Sequence, residues 1–170
     1  MSGNEPLEIE RKFLIRMPDE EILRRESRDH IDMEQIYLLP ENGGSRRIRR
    51  CLCDGRETLY YNEKTFVTHI TRVEREREIG REEWDVLLRQ ADPARRPIVK
   101  RRWRVPYGGH TLEIDIFPFW DDRAFCEAEL AAEDEELLLP PWMEVIREVT
   151  ADPRYNNSSL ARELPEEDIP

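Results

Sequence analysis

The amino-acid sequence predicts a mainly β (α+β) fold, an antiparallel sheet or barrel of short strands with few helices between them. Three observations carry this expectation. Segment after segment alternates apolar and charged residues with period two, as half-buried strands do. Asp54-Gly55 and Gly108-Gly109 fall between alternating runs, where tight hairpin turns belong. Only two longer stretches, 17–27 and 81–91, carry the spacing of an amphipathic helix. No repeat of fixed period and no dividing linker interrupts the 170 residues, so a single domain over 1–170 is expected.

A short polar lead-in, MSGNEP, precedes the first strand, LEIERKFL, in which Leu7, Ile9 and Phe13 share one phase and Glu8, Glu10 and Lys12 the other. Pro18, Asp19 and the acids after them suit the first turn of a helix. The stretch DMEQIYLLPENGG reads as a strand running into a turn, and SRRIRRCLC and RETLYYNEKTF pair as a hairpin across Asp54-Gly55. TRVEREREIG alternates again. REEWDVLLRQA follows with Trp84, Leu87, Leu88 and Ala91 on one helical side. A second hairpin spans PIVKRRWRVPYGGHTLEIDIF, and AFCEAEL is one more strand. EDEELLLPPWMEVIREVT is expected to hold a short helix broken by Pro140-Pro141, and the acidic tail a helical turn at Ser158 to Glu163.

Composition bounds the function. Charged residues make up 38% of the chain, against roughly 25% in ordinary globular sequences. Thirty-eight acids against 27 bases leave a net charge of −11, which argues against nonspecific binding to nucleic acid or to an anionic membrane. Cys51, Cys53 and Cys126 lack the spacing of a zinc or redox site, and His30, His69 and His110 lie far apart. Free thiols suit a reducing compartment. With neither a membrane-length apolar run nor a leader, the expected location is the cytoplasm.

The charged phases of the strands form a set. Glu8, Glu10 and Lys12 are followed by Gln35 and Tyr37, Arg47 and Arg49, and Lys64. Next come Arg72 with Glu74, Glu76 and Glu78, Lys100 and Arg102, Glu113 and Asp115, and Glu127 and Glu129. Two readings stand. The charges face water on a sheet whose apolar faces pack inward, or they line a closed interior. Adjacent same-sign residues repel, and a solvated face would favour mixed signs. The only three lysines of the chain, Lys12, Lys64 and Lys100, all fall in this set. A closed interior would need an occupant rich in negative oxygens, with divalent cations between it and the carboxylates. A polyphosphate with Mg²⁺ or Mn²⁺ meets that description. No glycine-rich phosphate loop is present, so side chains would hold the phosphates.

The Glu-x-Glu-x-Lys of LEIERKFL resembles the signature of the CYTH superfamily, the triphosphate tunnel metalloenzymes. EQIYL, RRIR, NEKTF, RVEREREI, KRRWRV, LEIDIF and CEAEL follow in the family's order, and VTADPRYNNSSLA is similar to the ending of its short bacterial members. The resemblance implies a tunnel of about eight antiparallel strands flanked by a few helices. It implies metal ligation by Glu8, Glu10, Glu127, Glu129 and Asp115, and phosphate binding by Arg47, Arg49, Lys64, Arg72, Lys100 and Arg102. Glu76 or Glu78 would support the tunnel, as would Glu113, with a structural ion pair as the other role open to Glu113 and Asp115. Lys12 would act on Tyr37 in catalysis; the plainer role for Tyr37 is a wall residue. The implied reaction is hydrolysis of a triphosphate with Mg²⁺ or Mn²⁺, foremost inorganic tripolyphosphate. An adenylate cyclase of the class IV type, a thiamine triphosphatase and a non-catalytic triphosphate or nucleotide sensor are the alternatives, with Trp103, Tyr107 or Trp120 as stacking candidates. The partner would be a small-molecule triphosphate, not nucleic acid or membrane. A homodimer through an outer helix stays open, without an apolar stripe to argue it.

Overall fold

A computed structural model describes residues 7–41 and 44–170. The lead-in 1–6 and two residues of the turn expected at 41–44 lie outside these. The elements run β1 (Leu7–Arg16), α1 (Glu20–Glu26), β2 (Asp29–Tyr37), β3 (Ser45–Cys53), β4 (Arg56–Phe66), β5 (Thr71–Ile79) and α2 (Arg81–Leu88). They continue with β6 (Ile98–Tyr107), β7 (His110–Ile116), β8 (Arg123–Leu130), β9 (Val145–Glu148), a 3-10 turn at Pro153–Tyr155 and α3 (Asn157–Leu160).

All strand pairings are antiparallel, in the order β5-β4-β3-β2-β6-β7-β8-β1-β9, and a further β5–β1 pairing closes eight of the nine strands into a barrel. The expected eight strands are present. Strand β1 is the closing strand. One edge pairs with β8 over Ile9–Arg16. The other edge is divided: Leu7–Ile9 meet β5, and Phe13–Ile15 meet β9. Both two-residue turns take the left-handed backbone that such hairpins require, with φ of 51° at Asp54 and 77° at Gly55, and 57° at Gly108 and 83° at Gly109.

The outward phase of the barrel is apolar and covered by short elements. On β1, β6, β7 and β8, Phe13, Ile15, Trp103, Val105, Leu112 and Ile114 pack beneath Leu23 of α1 and the segment around Leu137, Leu139 and Met143. Asp19 caps α1 by accepting from the Glu21 amide. On the other side, Ile48, Leu59, Tyr61 and Ile79 are covered by Trp84 and Leu87 of α2. Helix α2 ends at Leu88, which is 40% exposed, so the apolar stripe is narrower than its sequence spacing suggests.

A third cluster lies on the inward phase. Leu14, Tyr37, Ile98, Phe117 and Phe125 meet Val149, Tyr155 and Leu160 of the C-terminal segment and seal much of one barrel end.

The expected short helix before Pro140-Pro141 is absent. Residues 133–142 run without helix: Leu137 and Leu139 turn inward while Leu138 is half exposed, an extended alternation. Pro140 disfavours helical backbone at Leu139, leaving too few residues to nucleate a helix. The chain instead continues into β9, a four-residue strand too short to announce itself by alternation. The helical turn expected at Ser158 to Glu163 forms slightly earlier, as α3, because Asn156 caps it by accepting from the Ser159 amide.

Phe125 is fully buried at the sealed end, edge-on to Phe117, Trp120 and Tyr155. Phe125→Ala is expected to cost about 3–5 kcal/mol, lowering the midpoint of thermal unfolding by roughly 10 °C in a chain of this size. Circular dichroism melting checks this.

Candidate active site

Because the pairings keep register, the charged phases of eight strands converge inside the barrel. Cross-strand partners include Glu8 with Arg72, Glu10 with Glu129, Lys12 with Glu127, Arg102 with Asp115 and Lys64 with Glu74. The result is a cavity of about 310 Å³ along the barrel interior. Its lining includes Glu8, Glu10, Lys12, Tyr37, Arg47, Arg49, Lys64, Arg72, Arg102, Glu113, Glu127 and Glu129. Most acids come from β1, β7 and β8, with Glu74 on β5, and most bases from β3 to β6, so carboxylates and cations face one another across the space. Along β1, β6, β7 and β8 the same inward phase turns apolar at Leu14, Ile98, Phe117 and Phe125, so the charged interior ends on the apolar cluster.

Four carboxylates on this wall have a cation within 3.2 Å. Lys64 Nζ is 3.1 Å from Glu8 Oε2, Arg72 Nη2 donates to Glu10 Oε1 at 3.0 Å, and Lys12 Nζ is 3.2 Å from Glu127 Oε1. Arg102 Nη1 is 2.9 Å from Glu113 Oε2. Arg47 and Arg49 are the least committed cations: Arg47 Nε is buried without a partner, and Arg49 donates to the neutral Gln35 amide oxygen at 3.0 Å and lies 3.9 Å from Glu76.

Pairing does not fully offset burial. Burial, with the nearby Glu127 and Glu8 carboxylates, pushes Glu10 from its ordinary 4.5 up to about 7. Glu113 and Glu129 are raised for the same two reasons. Glu127 goes the other way: burial pushes it up, but Lys12, Arg102 and Lys100 outweigh that and hold it well below the usual carboxylate range. Burial and the Arg47 guanidinium lower the Lys64 ammonium against the pull of Glu8 and Glu10.

Several residues expected in the site lie elsewhere or pair differently. Lys100 and Asp115 are fully buried behind the cavity wall, Nζ to Oδ2 2.6 Å, and Arg102 donates to both Asp115 oxygens at 2.8 and 2.9 Å. Asp115 is therefore saturated by two cations, which matches the ion-pair role and not the metal-ligand one. Lys100 likewise sits under Arg102 and does not border the cavity. On β5 the inward acid nearest the other groups is Glu74, which borders the cavity and accepts from Asn62 at 2.6 Å. Glu76 accepts from the same amide at 3.1 Å nearer the barrel end, and Glu78 is exposed beyond it. Glu74 was masked by the three equivalent glutamates of its strand. Lys12 and Tyr37 border the same cavity but hold different partners. Lys12 donates to the Tyr155 carbonyl at 3.2 Å and lies over the Phe125 ring, whereas the Tyr37 hydroxyl is hydrogen-bonded to Arg47.

Sequence reasoning also missed Ser45, Asn62, Phe66 and the run Asn156–Ser159, all bordering the cavity. Ser45, Asn62 and Phe66 share the inward phase of β3 and β4 and could have been found by extending the alternation to uncharged residues. Asn156–Ser159 carry no periodic signal, because a cap and a single helical turn bring them there.

The raised Glu10 has a measurable consequence in metal-free protein. The folded chain holds a proton on Glu10 that the unfolded chain releases between about 4.5 and 7, so stability falls as pH rises through that window. Glu10→Gln is expected to raise the melting midpoint of metal-free protein at pH 8, with the gain disappearing near pH 4. Melting curves at the two pH values check the sign.

Comparison with known proteins gives the relationship. The model of the CYTH domain matches residues 6–162. The inorganic triphosphatase of Acetivibrio thermocellus is 30% identical over 158 residues, covering 91% of this chain and 93% of that protein. The crystal structure of the inorganic triphosphatase NE1496 is 26% identical, with a TM-score of 0.56, covering 94% of this chain and 97% of the other. The structure of PH1819 from Pyrococcus horikoshii OT3 shares the fold, at 21% identity and a TM-score of 0.57 over 75% of this chain and 80% of that one. With its closed barrel, its charged interior and a family model matched over most of its length, the chain belongs to the CYTH domain family.

Proposed function

We propose that this chain hydrolyses inorganic tripolyphosphate to pyrophosphate and orthophosphate. The observation that carries the reading is the cavity itself, where cations of β3 to β6 face carboxylates of β1, β7 and β8. A linear polyanion can satisfy the first set while a divalent metal satisfies the second. The relative at 30% identity, an inorganic triphosphatase, supports the same chemistry. At about 310 Å³ the cavity stands at the small end of ligand pockets, which run roughly 300–1,000 Å³.

The acidic wall fits a hard divalent cation by its donor chemistry. Glu8 Oε2 and Glu127 Oε1 are buried and meet only cations, as ion pairs without hydrogen-bond geometry, and Glu10 and Glu129 face the repulsion of neighbouring carboxylates. Among the described residues no three acids already stand at ligand spacing, since Lys64, Arg72 and Lys12 hold them. Glu8, Glu10, Glu127 and Glu129 would hold Mg²⁺ or Mn²⁺. The bound ion supplies charge neutralisation on the phosphoryl oxygens and a more acidic water.

The chain's own groups do the rest. Arg47, Arg49, Lys64, Arg72 and Arg102 bind the non-bridging oxygens and stabilise the charge that builds on them in the transition state. Asp115, itself held by Lys100, fixes the Arg102 guanidinium from behind. Tyr37, tied to Arg47, offers a hydroxyl to orient the attacking water. The oxygen of that water bonds to the terminal phosphorus, the P–O–P bridge breaks with its oxygen retained by pyrophosphate, and one proton passes to solvent.

The aromatic candidates for an organic substituent do not reach the cavity. Trp103 and Trp120 are buried in the outer and end clusters, and Tyr107 packs on the former; the aromatics bordering the cavity are Tyr37 and Phe66. This favours the inorganic substrate over a cyclase or thiamine triphosphatase reaction. The cytoplasm remains the proposed location, supported by three unpaired thiols. No helix among the described residues is long and apolar enough to cross a membrane.

Incubation of the purified full chain with tripolyphosphate and Mg²⁺ or Mn²⁺ is expected to release pyrophosphate and orthophosphate in equal amounts, faster than ATP or thiamine triphosphate is cleaved. Arg49→Ala is expected to lower kcat/KM for tripolyphosphate by roughly 10- to 100-fold, the effect of losing a hydrogen bond to a charged group. Binding without products identifies a sensor, and cyclic AMP from ATP identifies a cyclase.

A further inference from the structure

A second cavity, of about 270 Å³, lies outside the barrel wall where β1 changes partners. Between the β5 pairing at Leu7–Ile9 and the β9 pairing at Phe13–Ile15, three residues of that edge have no strand beside them. A few bonds span this stretch, and Arg11 at its middle is paired with Glu148 of β9 at 2.6 and 3.0 Å. The Glu10 amide donates to the Ile70 carbonyl at 3.1 Å, the Val149 amide to the Lys12 carbonyl at 2.8 Å, and the Lys12 amide to Thr150 Oγ1 at 3.0 Å. The chain at His69 forms one lip of the gap and the chain at Thr150–Pro153 the other. Glu10, Lys12, Phe66, Arg72 and Asn156 border both this cavity and the tunnel, so the two spaces meet at the groups proposed to hold phosphate and metal.

Strand register places the gap. Glu10 and Lys12 stand opposite Glu129 and Glu127, so the gap opens through the wall between Glu8 on one side and the apolar seal of Leu14, Phe125 and Tyr155 on the other. Hydrolysis leaves two anionic products in one narrow passage. With a single mouth, the inner product could leave only after the outer one. An opening in the side wall, bordered by Lys12 and Arg72 together with the Glu10 and Asp152 carboxylates and with His69 at its outer lip, removes that constraint for a small oxyanion.

We infer that this gap between β5 and β9 is the exit for orthophosphate, so that orthophosphate and pyrophosphate leave by different openings of the tunnel. The inference rests on the hydrolase reading above. His69 and Ala151 are exposed, lie on opposite lips and border the gap but not the tunnel, which makes them the positions at which to block it.

The test compares steady-state turnover with single-turnover cleavage of tripolyphosphate by the Mg²⁺-loaded full chain, in wild type, Ala151→Trp and His69→Trp. Release, when obstructed, becomes the slow step. In at least one variant kcat is expected to fall about fivefold or more, with single-turnover cleavage within about twofold of wild type and a burst of one product equivalent. Unchanged kcat in both variants overturns the exit, as does an equal fall in turnover and single-turnover rates. A wild-type chain that does not cleave tripolyphosphate defeats the hydrolase reading and the exit with it. A cleaving wild type with unaffected variants removes the exit alone.

Discussion

The structure depends on one constraint: charge taken out of water must find a countercharge. The inward phase of the barrel carries acids and bases in comparable number, and they pair across strands as Lys64 with Glu8, Arg72 with Glu10 and Lys12 with Glu127. An apolar filling of similar volume would be at least as stable, so these pairs are not explained by folding. The proposed function explains them by exchange. Each pair holds a cation that a phosphoryl oxygen can take and a carboxylate that a metal can take. Arg102 is the exception, clamped from behind by Asp115, and so is a fixed part of the wall.

The same constraint shapes the rest of the chain. Because the interior is given to charge, the apolar core cannot sit inside the barrel and lies on its outer face instead. Short elements suffice to cover it: α1 and the 133–143 segment on one side, α2 on the other. Where the inward phase turns apolar, the C-terminal segment closes over it, and Tyr155 links the two regimes. Its ring packs on Phe125 while its carbonyl accepts from Lys12. Lys12 of the opening motif thus rests on the boundary between the charged interior and the apolar seal.

Much of this was legible in the sequence. Period-two alternation with tight-turn residues located eight strands, because each strand has one apolar and one charged face. Same-sign pairs such as Arg47 with Arg49 and Glu127 with Glu129 set the inward faces apart from solvated ones. Alternation could not reveal register on β5, where Glu74, Glu76 and Glu78 are equivalent until the Lys64–Glu74 partnership is known. Nor could it separate Asp115, one strand position from Glu113, from the acids that border the cavity. Depth along the barrel is a tertiary property, as is the choice between Lys12 and Arg47 as the partner of Tyr37. Strand β9 and the run Asn156–Ser159 depend on contacts with β1 and on a cap, and neither leaves a periodic trace.

The exchange account makes a cooperative demand. A triphosphate alone would draw cations from Glu8, Glu10 and Glu127 and strand those carboxylates; a metal alone would strand the cations. The most direct measurement is thermal unfolding of the full chain with a non-hydrolysable methylene-bridged tripolyphosphate analogue, with Mg²⁺, and with both. Together, near saturation, they should raise the melting midpoint by roughly 5–10 °C, clearly more than the sum of the two separate shifts. A shift with the analogue alone as large as with analogue and Mg²⁺ together would contradict the account.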